Sequence, residues 1–384
     1  MTQPTHTGRP HALLSASSAD RWINCTPSAR LEEQYPDTPS EAAQEGTTAH
    51  EHAEHKLRQL LGENPTPPTT PIQDEEMQEH TTDYANQIAK HYQKAKQIDP
   101  ATHIAIEQRL NYSHIAPGGF GTTDALIIEG DTITVIDFKY GKGVEVSAEN
   151  NPQMRLYALA ALHQYGIIYN IKNVRMIIIQ PRLNNTSVSE TTTKELLEWA
   201  EQVVKPKAQL ANTGEGKLTP GKWCTFCKHA PQCPALASIY LDPLPPPHTP
   251  PPPDTLTDTQ IAHIVEISTD IKKWLTSVED HALTQANNGH TYPGLKLVEG
   301  RSIRRYKDET AVAETLTKAG YDPYEQKLLG ITALQKQLGK KLFDKLITPH
   351  LHKPAGKPTL VPESDKRPAL VVSTPENTFT ALNP

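Results

Sequence analysis

The chain has 384 residues, 36% of them hydrophobic, enough for one large domain or two ordinary ones with packed cores. A net charge of −6 excludes a uniformly basic nucleic-acid binder, although the balance is uneven: 17 Lys+Arg against 14 Asp+Glu from Ile261 onward, 21 against 30 before it. No run of eighteen apolar residues occurs, and the opening MTQPTHTGRPHALL lacks the charged head and apolar stretch of a secretory leader, so a cytoplasmic protein without a membrane partner is expected.

In chain order, helices are expected over 17–34, with Ser17 or Ser18 as cap, then over 41–61 and 75–96. NPTPPTTP at 64–71 reads as a loop. Three strand-like runs follow: HIAIEQRLNY from His103, TDALIIEG from Thr123 and TITVIDFKYG from Thr132. Gly130-Asp131 separates the last two as a hairpin turn. A helix over 151–165, the strand VRMIIIQPRL from Val174 and a helix over 192–210 complete an α/β core, a mixed sheet flanked by helices. The run LDPLPPPHTPPPPD from Leu241 favours extended polyproline II, so 241–256 reads as a semi-rigid linker; a ligand for a proline-binding domain is the alternative. Beyond it come a helix over 258–288, the strand-like LKLVEGRSIRRY from Leu295, and helices over 309–319 and 332–346. These make a smaller, mostly helical α+β domain at 257–366, ahead of a loose Pro/Thr-rich tail at 367–384.

Chemistry concentrates in GGFGTTDALIIEGDTITVIDFKYG. Asp137 and Lys139 lie two apart on a strand and project from one face. If the hairpin pairs in register, Asp124 approaches Asp137. Two converging carboxylates beside a lysine form a hard-oxygen site suited to Mg²⁺ or Mn²⁺. An acid two residues from a lysine is also common on solvated strand edges, where it is worth little. The apolar Ile133, Val135 and Ile136 argue instead for a buried strand whose polar end carries function. Upstream, His50 and Glu54 share a helix face at i, i+4, as do Gln153 and Tyr157 downstream. His52 and His55 fall elsewhere on their helix. Glu107 is either an acid behind the site or an exposed one.

These pieces, Gly46-Thr-Thr-Ala-His50, Gly121-Thr-Thr-Asp124, Ile136-Asp137-Phe138-Lys139 and Gln153-Met-Arg-Leu-Tyr157, resemble in content and order the RecB-like branch of the PD-(D/E)XK nucleases. The resemblance implies a restriction-endonuclease-like fold over 1–240. It implies metal ligation by His50, Asp124, Asp137 and the Phe138 backbone carbonyl, catalysis by Asp124, Asp137 and Lys139, and contacts to DNA from Gln153 and Tyr157. The whole chain also resembles a family of uncharacterised phage and prophage proteins. An exonuclease processing DNA ends in phage recombination or replication is implied, with a phage single-strand-binding or recombinase protein as partner.

Cys224, Cys227 and Cys233 are spaced C-x₂-C-x₅-C, with Cys25 far upstream, and such clustered thiols in a cytosolic chain suggest a metal. RecB-like enzymes with one cysteine before the nuclease motifs and three after imply a [4Fe–4S] cluster on these four residues. Thr26 departs from that pattern, where a Cys–Pro pair is usual. Zinc is the alternative, with His229 as a substitute ligand. In the second domain Arg301, Arg304, Arg305 and Lys307 with Tyr306, and Lys336, Lys340, Lys341 and Lys345, suit DNA phosphates and a stacked base, or a solvated surface. Two rival functions remain at this level, a non-catalytic DNA-binding recombination accessory protein and a structural metal-binding module. No GxxxxGK[ST] loop is present, so any helicase motor must be another protein.

Overall fold

The computed structural model describes residues 12–36, 40–72, 74–241, 258–299, 306–324, 327–352 and 365–368. The chain divides into two compact units, Met1–Pro245 and Pro246–Pro384. The proline-rich run expected as a linker lies outside the described residues apart from Leu241.

The first unit opens with two short helices, α1 (Ala19–Asn24) and α2 (Ser28–Glu32), where one helix was expected. Cys25 leaves helical geometry at φ −129°, and Pro27, which has no N–H, opens the next helix. The break is used for anchoring: Thr26 Oγ1 donates to Glu215 O at 2.6 Å and Arg30 Nε to Asn212 O at 2.6 Å. Helix α3 (Glu41–Leu60) starts at Ser40, whose hydroxyl accepts from Ala43 N. Helix α4 (Glu75–Ile98) is capped in the same way by Asp74. Ala49, Ala53 and Leu57 form the inward stripe of α3 and pack on Met77, Tyr84, Ala85 and Ile88 of α4.

Five strands form one mixed sheet in the order β1 (His103–Asn111), β2 (Phe120–Glu129), β3 (Thr132–Phe138), β4 (Asn173–Gln180), β5 (Asn185–Thr192). The expected hairpin is present: Glu129 pairs with Thr132 and Gly130 takes φ +56° in the turn. Strand β4 runs parallel to β3, and α5 (Pro152–Tyr165) makes the crossover between them. Both faces of the sheet are covered. Leu126, Ile128, Ile133 and Val135 point to the core formed with α1 and α5, whereas Ala125, Ile127, Ile136 and Phe138 point to the core formed with α3 and α4. This is the mixed α/β sheet flanked by helices that the sequence pattern implied.

The strand β5 was not foreseen. Its sequence NTSVSETT alternates half-buried and exposed residues with almost no apolar content. The helix expected over 192–210 is α6 (Thr193–Trp199), a π-turn (Ala200–Val204) and α7 (Lys205–Thr213). The wider turn falls just ahead of Pro206, which lacks the N–H for a regular ladder. Helix α8 (Pro234–Leu241) ends the described part of this unit.

The second unit contains α9 (Asp258–Asn287), α10 (Glu309–Lys318), capped by Asp308, and α11 (Ile331–Leu346), interrupted at Gly339 with φ +70°. The strand expected over 295–306 is not formed at 295–299, which have no regular structure; residues 300–305, with Arg301, Arg304 and Arg305, lie outside the described residues. Among the described residues this unit is therefore helical only. No described helix is long and apolar enough to cross a membrane.

Candidate active site

The hydrogen-bonded ladder between β2 and β3 ends at Ala125–Ile136, so Asp124 and Asp137 are the next pair in register. There the strands part. Phe138 N donates at 2.6 Å to Asp124 Oδ2, a side chain, in place of a backbone partner. Lys139 N is donated to Ile179 O on β4, so the Phe138 peptide groups face the gap beside Asp124.

The same point is irregular on β1. Ile106 pairs with Ala125 and Gln108 with Thr123, but Glu107, opposite Asp124, takes φ +47° and drops out of the ladder. A positive φ at a residue with a side chain carries strain. The result is convergence: one donor atom each from His50, Glu107 and Asp124 lies within 4.8 Å of the others, a set able to hold a cation. His50 reaches in from α3, its Nδ1 3.0 Å from Asp124 Oδ1 and its ring edge-on to Phe138. Glu54 is turned away and accepts from Arg58 Nε at 2.8 Å.

Asp137 points to the α5 side and is 4% exposed. Its Oδ1 accepts from Gln153 Nε2 at 2.9 Å, and Gln153 Oε1 accepts from Lys139 Nζ at 3.0 Å. Lys139 Nζ also sits 3.1 Å from Asp137 Oδ2, off the line of a hydrogen bond, which leaves that buried oxygen without a donor. Gln153 is fixed because Asn151 caps α5 and Pro152 opens it. Tyr157, one turn on, accepts from Gln153 Nε2 at 3.3 Å and lies over Gly121, where a Cβ would come within 2.7 Å of its ring.

Crowded carboxylates set the electrostatics. Burial pushes Glu107 up to about 8, and Asp124 opposite reinforces it. Burial also raises Asp137, and Lys139 offsets this only in part. Burial opposes charge on His50, but the Asp124 carboxylate beside it dominates and holds the imidazole near 9. The unmet donor capacity is anionic and oxygen-rich, with one imidazole, and fits a divalent ion of the Mg²⁺ or Mn²⁺ class. The buried Asp137 oxygen without a donor points the same way.

All four cysteines line one hollow, with Arg21, Trp223 and His229 on its rim. Cys25 enters from the break after α1, and its Sγ accepts from Thr219 N at 3.5 Å. Cys224, Cys227 and Cys233 follow one another on two 3₁₀ turns (Lys222–Phe226 and Ala230–Gln232) and the start of α8. Burial pushes Cys227 up to about 12, with the Glu32 carboxylate adding to it, and burial also raises Cys224. His229 is engaged elsewhere, its Nδ1 2.9 Å from Tyr35 OH. Among the described residues no three of these sulfurs lie within 4.8 Å of one another.

A family model described as "Protein of unknown function (DUF2800)" matches residues 11–368. The chain belongs to the DUF2800 family. Among solved structures, this DUF2800 member is similar to a proposed exonuclease from Eubacterium rectale, at 12% identity and a TM-score of 0.32, over 60% of this chain and 93% of that one. It is also similar to a protein named SSO0001, at 14% identity and a TM-score of 0.24, over 58% of this chain and 85% of the other. At these scores neither neighbour bears on what this chain does.

Of the site residues expected from sequence, the structure brings together His50, Asp124, Phe138, Asp137, Lys139, Gln153 and Tyr157 around the parting of β2 and β3. Glu107 was left open between two roles and proves to be one of the three converging donors. Its position on a strand one hairpin away from Asp124 was the available signal. Its positive φ, which moves it out of the ladder, has no mark in the sequence.

Proposed function

We propose that this chain is a metal-dependent DNA nuclease of the RecB-like PD-(D/E)XK type. The observation that carries the reading is the placement of Asp124 and Asp137 just beyond the last paired residues of β2 and β3, with Gln153 bonded to Asp137 and to Lys139, Lys139 paired with Asp137, and His50 bonded to Asp124. His50, Asp124, Asp137 and the Phe138 carbonyl would hold the cation, with Glu107 as a further oxygen donor. A bound Mg²⁺ or Mn²⁺ supplies a water of lowered pKa and neutralises charge on the scissile phosphate. Lys139, a compact cation, holds the attacking water or a phosphate oxygen. Gln153 keeps Lys139 and Asp137 at a fixed separation, and Tyr157 stands behind it against the strand. DNA as the substrate, and end-processing in phage recombination beside a single-strand-binding or recombinase protein, rest on the sequence resemblance. Arg301, Arg304 and Arg305 are offered as further DNA contacts on the same basis.

For the thiols we infer a [4Fe–4S] cluster that clamps the N-terminal helices to the end of the nuclease unit. The four thiols line one hollow; the choice of iron–sulfur over zinc rests on the sequence resemblance, and zinc is the alternative. Purified protein that is colourless, rich in zinc and free of iron would sink the cluster.

The function is tested by incubating end-labelled single- and double-stranded DNA with Mn²⁺ or Mg²⁺, using the parent and Asp137→Ala. Cleavage by the parent alone is expected. Binding without cleavage identifies the accessory protein, and neither activity identifies a metal-binding module. Equal cleavage by Asp137→Ala places the catalytic site elsewhere.

A further inference from the structure

We propose that Arg109, held against Phe120 at the outer edge of the sheet, binds a backbone phosphate of the DNA strand that enters the carboxylate site. The proposal rests on the nuclease reading above and gives that site a substrate contact.

Strand β1 is an edge strand. Arg109 lies two residues beyond Glu107 on β1, and its register partner Thr122 lies two residues before Asp124 on β2, a step of about 7 Å. On this stretch Leu110 is packed in the α5 core and Gly121 lies under Tyr157. By strand alternation Arg109, Asn111, Phe120 and Thr122 point the other way. Arg109, Asn111 and Thr122 are exposed there, and Phe120 is half-buried.

The guanidinium carbon of Arg109 sits 3.9 Å from the centre of the Phe120 ring, a cation–π contact close enough to be a stack. The stack fixes a long side chain and leaves its N–H donors at the rim. No carboxylate lies within 4.0 Å of the group among the described residues. The contrast with its neighbours is informative. Arg21, Arg30, Arg58, Arg175 and Arg182 of the same unit each sit against a glutamate, and Arg155, which also stacks on a ring, that of Trp199, donates to Asn150. Among the described residues Arg109 is therefore a pre-ordered cation without a carboxylate partner, one short step from Glu107 and Asp124. A planar fork of donors suits phosphate, and contacts of this kind position a strand without reading its sequence. Charge on an edge strand also deters sheet-to-sheet pairing, but that purpose needs no stacking partner.

The test measures affinity of the full chain for a fluorescein-labelled oligonucleotide, single-stranded and duplex, by anisotropy across a salt series. Ca²⁺ replaces Mg²⁺ so that the DNA stays uncut. Arg109→Ala is expected to weaken binding about tenfold at low salt. It should also lower the slope of log affinity against log salt by about 0.7 for single strands, or about 0.9 for duplex, the signature of one lost phosphate contact. Arg109→Lys should keep the slope and lose part of the affinity, and Phe120→Leu, which frees the guanidinium, should fall between. Lys194→Ala, a distant exposed lysine already near Glu198, is the control and should leave the slope unchanged. In Mn²⁺ cleavage, Arg109→Ala should raise KM more than it lowers kcat. Parent protein that cuts and binds DNA while Arg109→Ala keeps its salt slope overturns this inference and spares the nuclease reading. Parent protein that neither cuts nor binds DNA overturns both. Thermal melts of each variant matched to the parent exclude misfolding as the cause of any loss.

Discussion

Gly121→Ala is the most direct probe of how the two halves of the site are held together. The added methyl would lie 2.7 Å from Tyr157 Cε1 and 3.5 Å from its hydroxyl. Ordinary contact begins near 3.4 Å, so the ring must retreat by about 0.7 Å, at the roughly 1–3 kcal/mol typical of overpacking a core. Tyr157 is buried, so the displacement is passed on. Its hydroxyl accepts from Gln153, and Gln153 bonds both Asp137 and Lys139. A misplacement of that size at the reacting groups costs up to about 100-fold in rate. Tyr157→Leu removes the ring that is struck and by itself leaves a cavity worth about 2–4 kcal/mol. In the double variant the new methyl occupies part of that cavity, so the losses should fall short of additive by about 1–2 kcal/mol. Urea melts of the four proteins give the cycle, and Mn²⁺-dependent cleavage gives the rates. Losses that add within about 0.5 kcal/mol would refute the contact between the Gly121 strand and α5 as the route by which Gln153 is held.

Protons and a cation should compete for the acid cluster. His50 rises from 6.5 to about 9 and Glu107 from 4.5 to about 8, so the folded metal-free protein holds both protons more tightly than the unfolded chain. That stabilisation is complete below the unfolded values and is lost as pH rises through about 8 and then about 9. With a third of its side chain exposed, His50 contributes about 1–2 kcal/mol rather than the full value of its shift. Melts in EDTA should therefore fall from pH 6.5 to 9.5, and those in Mn²⁺ should fall less, because the ion takes the protons' place; a gap that does not widen with pH contradicts the shared site. Cys227→Ser should lose bound iron and lower the melting temperature, and should speed proteolysis near α1, which is tied to this region by Arg21 to Phe226 O. Iron content equal to the parent's would remove Cys227 from the ligand set. Arg182→Met tests a different anchor: it strips a nearly buried cation from Glu45, Glu76 and the Tyr140 ring, and because both carboxylates are well exposed and stay hydrated, about 1–2 kcal/mol should be lost by urea melt. A loss under 1 kcal/mol would show that water replaces the guanidinium.

The parts of this fold that were legible are those in which one periodicity dominates. Alternation in TDALIIEG and TITVIDFKYG with a Gly-Asp turn between them fixed the hairpin and, through its register, the approach of Asp124 to Asp137. Helix spacing fixed α3, α4 and α5 and with them the faces that carry His50, Gln153 and Tyr157. Strand β5 escaped because Val188 is its only large apolar residue, and even that is 54% exposed; β4 recruits it by backbone pairing rather than by burial. The break at Cys25–Pro27 was signalled by the proline, yet the serine cap and Trp22 favoured a longer helix. The helix after β5 kept its direction across Pro206 by widening one turn, which is a tertiary solution that propensity alone does not foresee.

Several features that local rules do not explain meet at the parting of β2 and β3. Glu107 holds a backbone angle costly for a residue with a side chain, faces a second carboxylate and retains its proton toward pH 8. Asp137 is buried with one oxygen lacking a donor, although Lys139 stands 3.1 Å from it. Asp124 takes a backbone N–H that would otherwise belong to the sheet. The strained angle and the oxygen without a donor each cost of order 1–3 kcal/mol. Elsewhere on β2 and β3 the apolar residues alternate between the two cores. One hairpin end thus holds a strained Glu107, a buried Asp137 oxygen without a donor and an imidazole beside Asp124, an anionic set of the kind a divalent cation would neutralise. Under the nuclease reading, a divalent cation held by His50, Glu107 and Asp124 would offset the crowding of carboxylates that holds the Glu107 proton.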